Sequence, residues 1–376
     1  MALTNFNLLT TEQKTVWAMD FWKQARNHSF INTFLGEGPN SLVQHITSLT
    51  QSEKGARAVI TLLADLTGDG VAGDRTLEGN EEALRTYDQV IRIDQLRHAN
   101  RSTGRLADQK SVVDFRKFSR DTLAYWVADR IDQLAFLTLA GWAYDYNTDG
   151  TARVGSAFTQ LEFAADVAAP STNRVAMWDV SASNPLLTGS AVSGAGGTSN
   201  LAAGDTPTWN MFLELKRYAK ETYMRGVMAD GEETYHAFLT PAAMAKLKQD
   251  DNFRQNVRHS AERGGANQLF TGGSVKIDGI ILHEFRHVPH WSAATAAVTG
   301  TEAVAGSTVL FCGAQALAMA DIGTPEWVEK DFDYDNQHGI SAGKMLGFLK
   351  PKFTNQYISG STTTEDFGVI NCYVAN

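Results

Sequence analysis

Residues 283–287 read HEFRH, two histidines bracketing a glutamate. At that spacing one helical face can grip zinc while the carboxylate activates a water. The chemistry requires His283 and His287 one helical turn apart, about 6 Å between side chains. The neighbouring residues favour another conformation. HEFRH continues VKIDGIIL, a β-branched run that follows Gly272 and Gly273, and Pro289 comes two residues later. On a strand, residues four apart share a face but stand about 13 Å from each other, too far for one metal. A third ligand is sought downstream in WSAATAAVTGTEAVAGS, where Glu302 lies in a turn-like stretch of small residues. The expectation is therefore a strand with a polar face, and a zinc metallopeptidase through HEFRH is the lesser alternative. His283, Arg286, His287 and His290 form a cluster whose charge responds near pH 6 if it lies at a subunit contact.

A second candidate is DYNTDG at 145–150, which places Asp145, Asn147, Asp149 and Gly150 at positions one, three, five and six of a calcium loop. The twelfth position, where a bidentate glutamate belongs, is Ser156, and DLTGDG at 65–70 fails in the same way with Thr67 and Thr76. Asp, Asn and Gly at this density predict turns. Asp145, Asn147 and Asp149 stay as calcium candidates, the basis of a second alternative, a calcium-stabilised surface-layer or structural protein. The chain has no phosphate-binding glycine loop, no G-x-S-x-G elbow and no C-x-x-C. No catalytic residue and no cofactor are expected, which favours an assembly subunit over an enzyme.

The elements that would carry these residues belong to a large folded chain. Its 376 residues are 43% hydrophobic with 19 Phe, 10 Tyr and 8 Trp, enough for a substantial core. A net charge of −9 argues against non-specific attraction to nucleic acid. The opening MALTNFNLLTTEQKTVW lacks a basic, then apolar, leader pattern, and no run approaches the length of a membrane span. Cys312 and Cys372 lie in the apolar runs VLFCGAQA and GVINCYVA and read as buried free thiols in a reducing compartment. These features predict a soluble protein of the cytoplasm.

Along the chain, residues 1–50 carry short helical patches, among them one with Val16, Trp17, Met19 and Phe21, but no core pattern of their own. They read as an arm that packs on something else. The runs 56–66 and 84–98 read as two long strands joined by the Gly- and Asp-rich TGDGVAGDRTLEGNEEA, an extended hairpin with an acidic tip. Charge is partitioned around it: residues 65–94 hold eight acids against three Arg, and residues 95–120 hold seven bases against Asp108 and Asp114. Two solvated faces account for this, or self-complementarity does, the tip of one copy meeting the basic stretch of another.

Three- and four-residue spacing of Phe115, Phe118, Leu123, Trp126, Val127, Ile131, Leu134 and Leu137 predicts a helix over 109–141 that stops at Gly141, with Lys117 and Asp121 placed to pair. Residues 143–208 lose periodicity and read as a surface insertion. A helix follows at 209–223, then a strand at HAFL, a helix opened by Thr240-Pro241, and strands from 275 onward.

Several blocks in this order resemble the N4-like major capsid proteins of tailed phages, whose fold is the HK97 type. They are TLEGNEEALRTYDQVIRIDQLRHANRSTGRLADQ, YWVADRIDQLAFLTLAG, AERGGANQLFTGGSVKIDGIILHEFRHVP, LFCGAQALAMAD, FDYDNQHGISAGKMLGF and EDFGVINCYVA. The resemblance implies an α+β capsid fold: an N-terminal arm at 1–50, an extended β-hairpin loop at 51–106, a peripheral-domain spine helix at 107–142, an insertion at 143–208, an axial domain at 209–325, and a return to the peripheral sheet at 326–376. In that sheet Val369–Val374 would form the last strand. It implies a subunit of hexamers and pentamers in an icosahedral head, made in the bacterial host cytoplasm, enclosing double-stranded DNA without gripping it and free of membrane. Scaffold, portal and decoration proteins would be its further partners. The hairpin would then meet a neighbouring copy through Asp69, Asp74, Glu78, Glu81 and Glu82 on the tip and Arg97, Arg101 and Arg105 on the basic stretch.

Overall fold

The computed structural model describes residues 11–46, 57–63, 66, 68–82, 86–110, 114–155, 158–194, 201–229, 231–260, 275–293, 296–297, 300–301, 304–354 and 364–376. Its central rod is a helix over Phe115–Ala140. Asp114 caps the rod: its carboxylate accepts from the N–H groups of Arg116 and Lys117 at 3.0 and 3.3 Å, filling donors that the first turn leaves open. Gly141 ends it in a left-handed conformation, φ 72°, with its N–H turned back to the carbonyls of Leu137 and Thr138. The helix thus starts later than the periodicity implied, because Arg105–Lys110 is a separate short helix before the cap. The expected Lys117–Asp121 pair does not form, since Asp121 takes Arg120 at 2.9 Å.

The rod lies on a nine-stranded sheet. Along its main path the order is Val275–Ile277, Ile280–Glu284, Glu232–Leu239, Gly306–Cys312, Val369–Ala375, Val175–Trp178 and Leu186–Thr188. His290–Trp291 adds beside Gly306–Cys312, and Val227–Ala229 beside Glu232–Leu239. The two central strands are buried at every position, which is why their sequences show no polar alternation. Successive side chains serve opposite layers. Leu310, Cys312 and Tyr373 pack in the cluster of the rod and arm, whereas Val309, Phe311 and Cys372 pack with the helices Trp209–Glu221, Pro241–Leu247 and Asp251–Ser260. Both cysteines are free and buried, and burial pushes their thiols up. Thr240 caps its helix as expected, accepting from the Ala243 N–H with Pro241 in the first turn.

A second, five-stranded sheet runs Leu35–Gly36, Val43–Ile46, Leu317–Phe332, Gln337–Leu349 and Asp94–Arg101. The arm helix Thr11–His28 bridges it to the rod, with Phe21 and Ala25 buried and Trp17 and Phe21 against Trp327. The arm thus builds its core from other parts of the same chain.

Three sequence-based boundaries shift. The run 84–98 breaks at Ile93: Thr86–Arg92 pairs with Arg57–Leu63, while Asp94–Arg101 is the outer strand of the five-stranded sheet. Residues 143–208 are not a surface insertion, because Val175–Trp178 pairs with the C-terminal strand and Phe158, Phe163 and Met177 are buried. Short strands joined by 3-10 turns bury side chains without leaving a periodic trace; residues 195–200 lie outside the described residues. Finally, Val369–Ala375 joins the sheet of the 209–325 strands, not that of Gln337–Leu349, so a boundary at 325/326 would cut the larger sheet.

Candidate assembly surface

The hairpin Arg57–Leu63/Thr86–Arg92 is anchored along one face and open along the other. Ile60, Leu62 and Ile91 are buried against Ile46, Ala318, Ala320 and Leu349. The cross-strand pair Val59 and Val90 on the opposite face is exposed at 57% and 42%, on a hairpin otherwise seated firmly. The Gln89 side-chain amide clasps Lys352, donating to its carbonyl and accepting from its N–H at 3.1 Å. The close seat depends on Gly347, where an added Cβ would lie 2.3 Å from the Arg92 carbonyl oxygen.

Beyond this base the tip, 68–82, is exposed almost throughout. Its acids divide into two kinds. Glu82 accepts from the Gly68 N–H at 2.7 Å and closes the loop, and Glu81 accepts from the Gly79 N–H at 2.7 Å. Asp69, Asp74 and Glu78 form no ion pair among the described residues. The tip is a folded loop carrying outward negative charge.

The basic counterpart starts on the outer strand Asp94–Arg101, where Arg97 and Arg101 point the same way. Two glycines of the paired strand shape their setting. A Cβ on Gly343 would meet Arg97 Cγ at 2.8 Å, and one on Gly339 would meet the Phe332 ring at 2.7 Å. The Arg101 guanidinium sits 4.2 Å from the centroid of that same ring. Arg105 opens the following helix and is exposed. No ion pair among the described residues joins the three arginines to the tip of their own chain. Sequence reasoning named these charges but missed the glycines that arrange them. Their signal was present in HGISAGKMLGF, where Gly339, Gly343 and Gly347 recur every four residues and so share one strand face.

The residues of the other suspected motifs bond to partners within the chain. Strand Ile280–Glu284 ends inside HEFRH, and Phe285–Val288 form a turn, so the expectation of a continuous strand was half met. His283 faces His236, with 2.9 Å between ring nitrogens. His287 instead bonds Asp129 on the rod at 2.7 Å, and Arg286 reaches the same carboxylate at 2.9 Å. The His287 hydrogen bond and the neighbouring cations outweigh burial and hold the Asp129 carboxyl below its ordinary range. The two histidines of the zinc pattern therefore serve different partners.

DYNTDG is a tight turn in which Asp149 accepts from the Thr151 N–H and hydroxyl at 3.0 and 2.6 Å. Asn147 donates to the Thr151 hydroxyl at 3.0 Å, and Arg153 N–H bonds the Asp145 carbonyl. The fold also docks this turn on the end of the histidine motif, through His290 N–H to the Thr148 carbonyl at 2.8 Å.

Buried charge binds the layers together at places the sequence did not advertise. Asp132, 3% exposed on the rod, accepts from the Ser29 hydroxyl and from the Phe30 and Ile31 N–H groups at 2.7, 2.9 and 3.1 Å. Lys344 pairs with Asp321 at 2.6 Å, and Lys350 with Asp366 at 3.0 Å. Ser29 and Asp132 stand 103 residues apart, and the two lysine pairs depend on how nearby strands register, so none of the three shows as a local pattern.

Three comparisons bear on the chain as a whole. A family model described as phage capsid protein matches residues 5–376. A major capsid protein of Pseudomonas phage KPP25 is 57% identical over 375 residues, covering 99% of this chain and 97% of its own. Among solved structures, the capsid of Ralstonia phage GP4 superposes with a TM-score of 0.73 at 24% identity, covering 100% of this chain and 95% of that one. The capsid asymmetric unit of cyanophage Pam1 gives a TM-score of 0.68 at 18% identity, with 99% of both chains covered.

Proposed function

The chain belongs to the phage capsid protein family and carries the HK97-type fold, and on that premise we propose that it is the major capsid protein of a tailed phage. Copies assemble as hexamers and pentamers into an icosahedral head around double-stranded DNA, and the role is structural rather than catalytic. The observation that carries this reading is the near full-length match to a major capsid protein. The exposed hairpin supports it, since a strand pair seated at its base and bare at its tip suits contact with another copy.

Within the shell, Asp69, Asp74 and Glu78 of one copy face Arg97, Arg101 and Arg105 of a neighbour, and Glu81 and Glu82 hold the tip in shape. Such contacts are heterologous and must close by symmetry, and complementary charge fixes their register more than their affinity. The net charge of −9 suits an inner surface that holds DNA without binding it. No helix among the described residues is long and apolar enough to cross a membrane. Assembly takes place in the host cytoplasm, with scaffold, portal and decoration proteins as further partners.

Two measurements test the reading. Negative-stain microscopy of the expressed chain should show closed shells or capsomer rings, and a persistent monomer under all assembly conditions would overturn it. Reversing Arg97, Arg101 and Arg105 to Glu should abolish shells while the circular dichroism spectrum and melting stay those of the parent. Normal shells from that variant would reject the charge contact and leave the capsid reading standing.

A further inference from the structure

His236 and His283 lie on neighbouring parallel strands, His236 paired with Ile281 and His283 with Phe238. Their ring planes differ by 10°, their centroids are 5.2 Å apart, and Nδ1 of His236 stands 2.9 Å from Nε2 of His283. Stacked rings cannot bring nitrogens that close, so the rings meet edge to edge in one N–H···N hydrogen bond. One nitrogen donates and the other accepts, which requires the facing edge to hold a single proton.

The N-terminal arm closes over this pair. Phe34 meets the His236 and His283 rings edge-on at 5.6 and 4.9 Å, and Phe30 meets His283 at 6.2 Å while stacking on Phe285 at 4.3 Å. Phe30 precedes and Phe34 ends the 3-10 turn Ile31–Phe34, whose near side is tied to the Asp132 carboxylate.

We propose that this aromatic turn is an acid-sensitive latch: it rests on the histidine pair while the pair shares one proton, and it lifts when both rings are charged. A second proton turns both facing nitrogens into donors 2.9 Å apart, and the Phe30, Phe34 and Phe238 rings packed on the pair offer them no acceptor. The charged and titratable groups around the pair supply no negative charge to it: Cys312, paired with His236 on the strand Gly306–Cys312, is a thiol that burial pushes up and keeps neutral. Lys276, on the adjoining strand, adds positive potential at His236. Glu284 follows on the opposite strand face and pairs with Lys248 at 3.6 Å. Asp132 lies behind the turn, committed to Ser29, Phe30 and Ile31; beyond Phe285, His287 and Arg286 share Asp129.

Burial, aided by Lys276 at His236 and by His236 at His283, pushes both imidazoles down to about 4. A lifted turn exposes rings that take up protons from about pH 6.5. The seated state is thus fully favoured above about pH 6.5, weakens as pH falls, and has lost that stabilisation below about pH 4. Linkage sets a limiting slope of about tenfold per pH unit for each ring, which amounts to about fortyfold for one ring between pH 6.5 and 4.5.

Hydrogen exchange of the full-length unassembled chain tests this without reference to shells. After correction for intrinsic rates, the amides of residues 31–35 should lose at least about tenfold protection from pH 7 to pH 5, while those of 131–139 in the rod keep theirs. In H236Q/H283Q, whose amides keep a neutral hydrogen bond, protection at 31–35 should no longer follow pH. The single variant H283Q serves if the double variant does not fold. Equal wild-type protection of 31–35 at both pH values overturns the proposal, as does an undiminished pH response in either variant.

Discussion

Replacing Gly347 with alanine is the sharpest test of how the hairpin is held. The new Cβ would lie 2.3 Å from the Arg92 carbonyl oxygen and 3.1 Å from Ile91 Cγ2. A carbon and a carbonyl oxygen need about 3.3 Å, so the hairpin base must retreat by roughly 1 Å. Nothing there yields easily. Arg92 contributes backbone, Ile91 is fully buried, and Gln89 is tied to Lys352 from both its amide groups. Overpacking of this kind costs about 1–3 kcal/mol. The displaced base would also carry the tip away from the neighbour proposed for it, so assembly should suffer more than folding does. Urea denaturation should register the loss, and sedimentation should show the shell fraction falling at concentrations where the parent assembles. Gly204→Ala is the control: nothing lies within 4 Å of its Cβ and its φ is not positive. That substitution should change stability by less than about 1 kcal/mol. If Gly347→Ala assembles normally and melts within about 0.5 kcal/mol of the parent, the proposed seat of the hairpin is wrong.

Two further outcomes follow from buried charge. Asp132→Ala strands the Ser29, Phe30 and Ile31 donors and should cost about 3 kcal/mol, read as a drop in the denaturation midpoint together with faster exchange near residue 30. Lys344→Met leaves Asp321 buried beside His45 alone and should cost about 3–5 kcal/mol at pH 7 by urea denaturation. Burial raises the Asp321 carboxyl, but His45 and Lys344 overcome it and hold the group below its ordinary value. A depressed carboxyl stabilises the fold above the unfolded value near pH 4 and loses that contribution as pH falls through its folded value. The gap between parent and Lys344→Met should therefore narrow below pH 4, and a gap independent of pH would refute the pairing.

Much of the fold was legible because its signals are local. The rod announces itself through apolar spacing and Gly141, the Thr240-Pro241 helix through its cap, and the hairpin through two strand runs around a tip rich in Gly and Asp. The exposure of the tip acids was legible too, because a charged, Gly- and Asp-rich turn has little apolar surface to bury. The errors cluster where context overrides pattern. Residues 84–98 look like one strand, but one half pairs with 57–63 and the other with 337–349, which turns the chain at Ile93. Residues 143–208 look loose, but their short strands need only one sheet edge to be held.

The motif HEFRH shows where the division falls. Its sequence alone settles that the two histidines do not sit on a helix, because β-branched residues precede them and a proline follows. It does not say where each side chain goes. Only the tertiary structure sends His283 to His236 under the arm and His287 to Asp129 on the rod. The same holds for Lys344 with Asp321 and for Gly347 beneath Arg92. Backbone preference and periodicity are properties of neighbouring residues, so a sequence carries them openly. Pairing between elements is decided by how strands register and layers close, and it exists only once they have.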